Sequence, residues 1–202
     1  MLEEFLSTTL LLFFVMDPIG NIPIFIVVLE KIPPQKRRWI VIREVVFSML
    51  ILIGFLFLGN TILKYLNISQ SSLKISGSIL LFIISLRMIF PPYMDSTSKH
   101  YIFGELPEGD PFLFPLAIPS LAGPSAITTV IVISNQNPIM MHIWLFSILV
   151  SCALALVILL SSNWIFKFAG KKGVFALEKL MGMALIAISV EMFLKGIKEY
   201  LF

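Results

Sequence analysis

Six long apolar runs constrain this chain more than any other feature of its sequence. A helix needs about 20 apolar residues to cross a hydrocarbon core of about 30 Å. Runs of that order occupy residues 5–29, 39–63, 73–90, 111–134, 139–168 and 174–197. Only 13% of the residues are charged, whereas soluble domains carry about 25%. Because the runs are continuous and not alternating, they favour membrane-crossing helices over a β-barrel. We therefore expect an all-α membrane protein with six transmembrane helices.

Prolines interrupt two of the six runs. The first run contains Asp-Pro-Ile-Gly-Asn-Ile-Pro at 17–23, and the fourth contains Pro-Ser-Leu-Ala-Gly-Pro-Ser at 119–125. A proline inside a helix removes one hydrogen bond and clashes with the preceding turn. In lipid, the freed backbone groups survive only beside protein or a polar cavity. We therefore predict that helices 1 and 4 are discontinuous. The predicted breaks and hinges are Pro18, Pro23, Pro119 and Pro124.

The two interruptions belong to an internal repeat. Asp17-Pro18 corresponds to Gly123-Pro124 at an offset of 106 residues, and matches between the third and sixth runs recur at offsets of 105 and 104. Each half contains three runs, so the second half must enter the membrane from the opposite side, which is common in secondary transporters. The predicted units are a first three-helix repeat at 1–92, a connecting loop at 93–110 and a second, inverted three-helix repeat at 111–202, in one membrane domain.

The distribution of basic residues predicts the orientation. Eleven Lys and Arg residues lie at the connections after the first, third and fifth runs, against four on the other side. The positive-inside rule then places those connections in the cytoplasm and both termini outside a multi-pass cytoplasmic membrane protein. The net charge of +3 is interpreted as orientation within the bilayer. Because no basic stripe carries interleaved aromatics, nucleic acid is not an expected partner.

Both breaks carry residues suited to a binding site near the middle of the bilayer. Asp17 is a good N-cap residue, Gly123 is its counterpart, and a proline follows each at the first helical position. A restarted helix presents free N–H groups and a partial positive charge to an anion. The predicted substrate-binding residues are Asp17, Gly20, Asn21, Gly123, Ser125, Thr128 and Thr129.

Asp17 lies about halfway through the first run. A charge at that depth costs about 2.5–3.5 kcal/mol on insertion scales and marks a functional hypothesis. Asp17 is expected to hold a substrate ammonium group, carry a coupling proton or ligate a cation. The alternative is that it only caps the second half of a kinked helix.

Other charged and polar residues support weaker hypotheses. Arg87 and Glu191 hold nearly equivalent positions in the third and sixth runs and are candidates for a pair or gate, with snorkelling near the helix ends as the alternative. Arg43 and Glu44 are interpreted as an anchor pair at the membrane interface. No nucleophile with its base, metal-ligand spacing or phosphate loop is visible, so no catalytic, cofactor or metal site is predicted. Glycines in the runs leave a homo-oligomer open.

The two interrupted segments resemble the two signatures of the MarC family of bacterial and archaeal inner-membrane proteins. Asp17–Phe25 is similar to the first signature and Phe114–Ile127 to the second. Ser120 and Ser125 stand where that family commonly has an apolar residue and a glycine. The resemblance covers nearly the whole chain. It implies transport of small neutral amino acids, glycine and alanine above all, with a proposed proton coupling.

The expected function is therefore a secondary transporter of small neutral amino acids, coupled to a proton or to sodium and working by alternating access. A helix N-terminus suits the carboxylate of such a substrate, an acid suits its ammonium group, and small residues exclude bulky side chains. A passive channel and a membrane scaffold or regulator without a transported substrate are the alternatives. An enzyme is not expected.

Overall fold

Helices make up the regular structure of this chain. The computed structural model describes residues 1–30, 32–90 and 116–201, and these ranges contain no strand. The predicted loop at 93–110 lies outside them. The elements in chain order are α1 (Leu2–Met16), α2 (Ile22–Glu30), α3 (Pro34–Tyr65), α4 (Gln70–Ile89), a π-helical turn (Leu116–Leu121), α5 (Pro124–Gln136), a 3₁₀ turn (Pro138–Met140), α6 (Met141–Leu160) and α7 (Ser162–Leu201).

Four helical segments within the described ranges are long and apolar enough to cross a membrane. They are Pro34–Tyr65, Gln70–Ile89, Pro138–Leu160 and Lys172–Leu201, and they correspond to the second, third, fifth and sixth predicted runs. The all-α prediction is thus confirmed for these residues. The fifth run ends earlier than predicted, at Leu160 and not at Phe168, because the polar residues 161–163 interrupt it and a new helix begins at Ser162.

The first and fourth runs are discontinuous, as the prolines predict. α1 has 15 residues and α2 has nine, so neither alone reaches the roughly 20 residues that a crossing needs. In the fourth run a π-helical turn ends at Leu121, and the 13-residue α5 starts at Pro124. Ile118 inside that turn is extended, with φ −119° and ψ 129°, because a following proline disfavours helical geometry in the residue before it.

A glycine divides α7 into two parts. Gly170 has φ 66° and ψ 174°, a left-handed conformation that glycine adopts without steric cost. The part before it exposes Trp164 and Phe168, whose rings stack at 5.6 Å. The long apolar part follows from Lys172.

α4 and α7 run antiparallel and pack closely on each other. At one end of the contact Gly196 of α7 lies against Ile75, and at the other Gly182 lies against Ile89. A Cβ atom at Gly182 would be 3.2 Å from the carbonyl oxygen of Ser85, so the two backbones approach closely. This contact fixes the register of the two helices.

Three further helix contacts join the first half of the chain to the second. α1 lies on α6, where the hydroxyl of Ser151 donates a hydrogen bond of 2.9 Å to the carbonyl of Thr9. α5 lies on α3, where Gly59 accommodates the side chain of Ile131. α3 also packs on α6. Hydroxyl-to-carbonyl bonds and small residues are the usual means of joining helices in lipid.

We predict that Gly77→Ala lowers the free energy of unfolding by about 1–3 kcal/mol, the usual cost of overpacking a filled site. A Cβ atom at Gly77 would lie 2.6 Å from Cγ2 and 2.7 Å from Oγ1 of Thr128. The matched control is Gly54→Ala, where the added atom has no neighbour within 4 Å. Thermal unfolding in detergent measures both variants. Equal midpoints for the two would contradict this packing.

Candidate functional site

Asp17 terminates α1 and caps the turn that follows. It adopts a left-handed conformation, φ 45° and ψ 59°, with its N–H donating to the carbonyls of Phe13 and Phe14. This conformation is uncommon outside glycine, although Asp tolerates it better than most residues. Its Oδ1 atom accepts a 3.0 Å hydrogen bond from the N–H of Gly20. The carboxylate thus caps a turn, and the prediction that Asp17 and Pro18 begin a helix is wrong, because the regular helix α2 begins only at Ile22.

Gly20 lies directly against the Asp17 carboxylate. A Cβ atom at Gly20 would collide with Oδ2 of Asp17 and would lie 2.6 Å from the terminal methyl of Met88 on α4. Glycine is therefore required for the close approach of these three groups. The acid of the first break thus lies beside Met88 of α4.

Asn21 joins the two helix breaks. Its Nδ2 atom donates 3.1 Å to the carbonyl of Met16, at the end of α1, and 3.2 Å to the carbonyl of Ser120, inside the second break. Both carbonyls belong to interrupted backbone that lacks regular helical partners. Because an amide group has two donor hydrogens, Asn21 uses both to hold the breaks together. To donate a hydrogen bond to a substrate, Asn21 would have to give up one of these two bonds, and its predicted place in the substrate site stays a prediction.

The second break follows the predicted pattern at Gly123 and Pro124. Gly123 is the N-cap of α5, with φ −73° and ψ 167°, and Pro124 occupies the start of the helix. Ser125, Thr128 and Thr129 are all buried in the first turns of α5. The Thr129 hydroxyl donates 2.9 Å to the carbonyl of Ser125. Its oxygen retains the capacity to accept a further bond.

A cavity of about 360 Å³ opens at the end of the bundle that holds the start of α1 and the end of α7. We call it the terminal-end cavity. Its polar lining is formed by Lys74, Thr129, Gln136, Glu191 and Lys195, and the other lining residues are apolar. A neighbouring hollow of about 340 Å³ shares Ile133 and Gln136 with it. Thr129 is therefore accessible from this end.

A second cavity, of about 480 Å³, opens at the other end of the bundle, and we call it the opposite-end cavity. It is lined by Pro23, Ile26, Leu29, Glu30, Arg37, Ser162, Asn163 and Phe166. Three of its residues, at positions 23, 26 and 30, correspond at an offset of 106 to positions 129, 132 and 136 of the terminal-end cavity. The equivalent faces of α2 and α5, each just after a break, thus line cavities at opposite ends.

The structure divides the predicted site into two parts. Asp17 and Gly20 contact each other in the first break and Asn21 contacts the second break, whereas Thr129 faces the terminal-end cavity. Gly123, Ser125 and Thr128 lie buried in the protein interior. Thr128 packs against Gly77 and so contacts α4.

Arg87 and Glu191 do not form the predicted pair. The α4–α7 register places Ile75 against Gly196 and Ile89 against Gly182, which separates the two charges by roughly seven residues, or about 10 Å along the helix axis. Glu191 instead bonds Lys195 at 3.1 Å, one turn along α7. A gating role for either residue stays a prediction.

The sequence reasoning missed the burial of two charges. The predicted Arg43–Glu44 pair forms, with 2.8 Å between Nη2 of Arg43 and Oε1 of Glu44, and Glu44 is 0% exposed. Lys74, 3% exposed, pairs with Glu199 near the end of α7. The sequence signal that could have indicated these buried charges is the presence of a charged residue within an apolar run. Their partners and burial depend on helix packing.

Comparison with known proteins agrees with the two break motifs. Residues 2–201 match the model of the MarC family of integral membrane proteins. The chain belongs to the MarC family. It is therefore an integral membrane protein, and the predicted resemblance is confirmed.

Relatives of this MarC protein occur in bacteria and archaea. A UPF0056 membrane protein of Buchnera aphidicola subsp. Baizongia pistaciae is 42% identical over 201 residues, 100% of both chains. The UPF0056 inner membrane protein YhgN of Escherichia coli K12 is 40% identical over 99% of each chain. A UPF0056 membrane protein of Methanocaldococcus jannaschii is 31% identical, covering 98% of this chain and 97% of its own. No solved structure matches the chain.

We predict that Asn21→Ala destabilises the fold by separating the breaks. The substitution leaves the carbonyls of Met16 and Ser120 without this donor, at about 1–3 kcal/mol for each buried group. Thermal unfolding in detergent measures the loss. Asn60→Ala, at an exposed position of α3, is the matched control and should unfold near the wild-type midpoint. A wild-type midpoint for Asn21→Ala would show that the amide does not hold the breaks together.

Proposed function

We propose that this protein is a secondary transporter of small neutral amino acids, with glycine and alanine as its first expected substrates. It works by alternating access across the cytoplasmic membrane, coupled to a proton, with sodium as the alternative ion. One observation carries the proposal. Two helix breaks contact each other through Asn21, and the half-helices that follow them line cavities at opposite ends of the molecule.

The proposed architecture is six spans in two inverted three-helix repeats. In it α1 with α2 forms the first span, the π-helical turn with α5 forms the fourth, and α3, α4, α6 and α7 form the others. Exchanging the halves converts the contact of α1 with α6 into the contact of the π-helical turn with α3, and it leaves the α3–α6 and α4–α7 contacts in place. This exchange supports a two-fold relation between the halves. The basic residues orient the terminal-end cavity outward.

The break region matches the chemistry of a small zwitterion. α5 begins after Gly123 at Pro124, and the N–H groups of Ser125 and Ala126 in its first turn lack helical acceptors, which suits a carboxylate. Asp17 offers a negative charge to the ammonium group. Gly20 lies close to the Asp17 carboxylate and the Met88 methyl, so little room is left for a large substrate side chain. Ser125 adds a side chain at a position where the MarC family commonly has a glycine. The space left for a substrate side chain is therefore smaller still.

The placement of the two cavities supports alternating access. The Asn21–Ser120 contact lies between the two breaks, and each cavity reaches the face of the half-helix beyond one of them. Rocking one half against the other at Pro18, Pro23, Pro119 and Pro124 would open one cavity toward the breaks and close the other. A passive pore would need the cavities to join, whereas among the described residues they have no lining residue in common. A carrier is therefore favoured over a pore.

Uptake of radiolabelled glycine and alanine into proteoliposomes tests the proposal. We expect saturable uptake that an imposed proton gradient drives above the external concentration. A sodium gradient is applied separately to identify the ion. Uptake that never exceeds equilibrium would indicate a pore, and the absence of uptake by folded protein would remove the transport assignment.

Within that assay, Asp17→Asn should reduce glycine transport while leaving the fold intact. The asparagine retains an oxygen that can accept the Gly20 N–H bond, but it has no charge for the ammonium group or the coupling ion. Losing a hydrogen bond to a charged group costs about 1.5–3 kcal/mol, or roughly ten- to hundredfold in affinity. Glu3→Gln, at an exposed acid of α1, is the control. Full transport by Asp17→Asn would exclude a charge-dependent role for Asp17.

A further inference from the structure

We propose that the terminal-end cavity is an entry site for zwitterionic α-amino acids, in which Lys74 binds the carboxylate and Glu191 binds the ammonium group. This site is separate from the helix breaks and precedes them on the path inward. The inference rests on the proposed transport function and names residues that the function does not otherwise use.

The burial of Lys74 is the main observation behind this proposal. It is 3% exposed, lies near the start of α4 and lines the cavity. Removing an ammonium group from water costs several kcal/mol unless a counter-charge compensates. Glu199 of α7 supplies that counter-charge, but the side chain of Glu199 is 43% exposed. The pair therefore joins a buried cation to a carboxylate that remains hydrated.

This asymmetry makes Lys74 a carboxylate-exchange site. A substrate carboxylate in the cavity would replace Glu199 on Lys74, and Glu199 would turn to water without leaving a buried charge. Lys74 cannot make the corresponding move, because it is enclosed by α4 and α7. The carboxylate of Glu199 or that of the substrate can thus compensate the energetic cost of keeping the lysine buried.

The cavity also offers partners for an ammonium group. Glu191 lies on the lining with Lys195, its 3.1 Å ion-pair partner. Thr129 already donates its hydroxyl hydrogen to Ser125, so toward the cavity it acts as an acceptor. Both signs of charge therefore line one space, together with apolar walls from Leu11, Val132 and Ile188. A volume of about 360 Å³ is within the usual range for small-molecule sites.

Substrate binding here would also act on the contact between the predicted halves. Lys74 belongs to the first repeat and Glu199 to the second. Exchanging Glu199 for substrate removes one link between α4 and α7 at the terminal end. Occupation of the entry site would thereby ease the movement of one half against the other.

Glycine uptake kinetics in proteoliposomes test the proposal with four variants. Lys74→Met removes the charge, Lys74→Arg retains it, Glu199→Gln releases Lys74 from its partner, and Lys64→Met at an exposed lysine of α3 is the control. We expect Lys74→Met to raise KM by at least about tenfold, the effect of losing one charge-assisted contact. Lys74→Arg should restore most of the affinity, and Glu199→Gln should leave KM unchanged or lower it.

A competitor without a carboxylate separates recognition from stability. Glycinamide should compete poorly with glycine for the wild-type protein, and Lys74→Met should lose much of that discrimination. If the pair only stabilises the fold, Lys74→Met and Glu199→Gln will lower the unfolding midpoint together and leave KM and discrimination unchanged, which overturns the entry site. Absence of wild-type uptake would instead overturn the proposed transport function, and the entry site with it.

Discussion

A helix that breaks inside a bilayer leaves carbonyl and N–H groups that water cannot reach, and the rest of this structure depends on how they are satisfied. Each uncompensated group costs several kcal/mol in lipid. Here one side chain partly satisfies both interrupted segments, because the Asn21 amide group donates a hydrogen bond to a carbonyl of each. Asp17 provides the remaining local cap through Gly20. Asn21 therefore stabilises both breaks and keeps them in contact.

Several polar groups away from the breaks follow the same constraint. Ser48 and Ser151 donate to backbone carbonyls, and the second of these bonds crosses between helices. Buried charges have counter-charges: Glu44 pairs with Arg43 and Lys74 with Glu199. Breaking such a pair on one side leaves an uncompensated charge, at about 3–5 kcal/mol. A hydrophobic contact would fill the same positions inside the bundle at a lower energetic cost than these ion pairs. An ion pair near a cavity is therefore a candidate for a functional role.

Local chemistry explains what the sequence predicts well. Run length and proline placement specify the long helices and both interruptions, and the Gly123–Pro124 start of α5 follows from the capping preferences of single residues. Tertiary packing explains what it predicts poorly. The second donor bond of Asn21 reaches Ser120, 99 residues away, and the separation of Arg87 from Glu191 follows from how Gly182 and Gly196 set the α4–α7 register. Neither is visible in a pattern along one helix.

The equivalent half-helices are proposed to face opposite sides of the membrane and to open alternately. The variants Ile26→Cys and Val132→Cys test this arrangement, because the two positions line the two cavities and are 106 residues apart in the sequence. The native Cys152 is buried. A membrane-impermeant maleimide should label Val132→Cys only from outside and Ile26→Cys only from inside, and glycine should change the two labelling rates in opposite directions. Labelling of both positions from the same side would contradict the account.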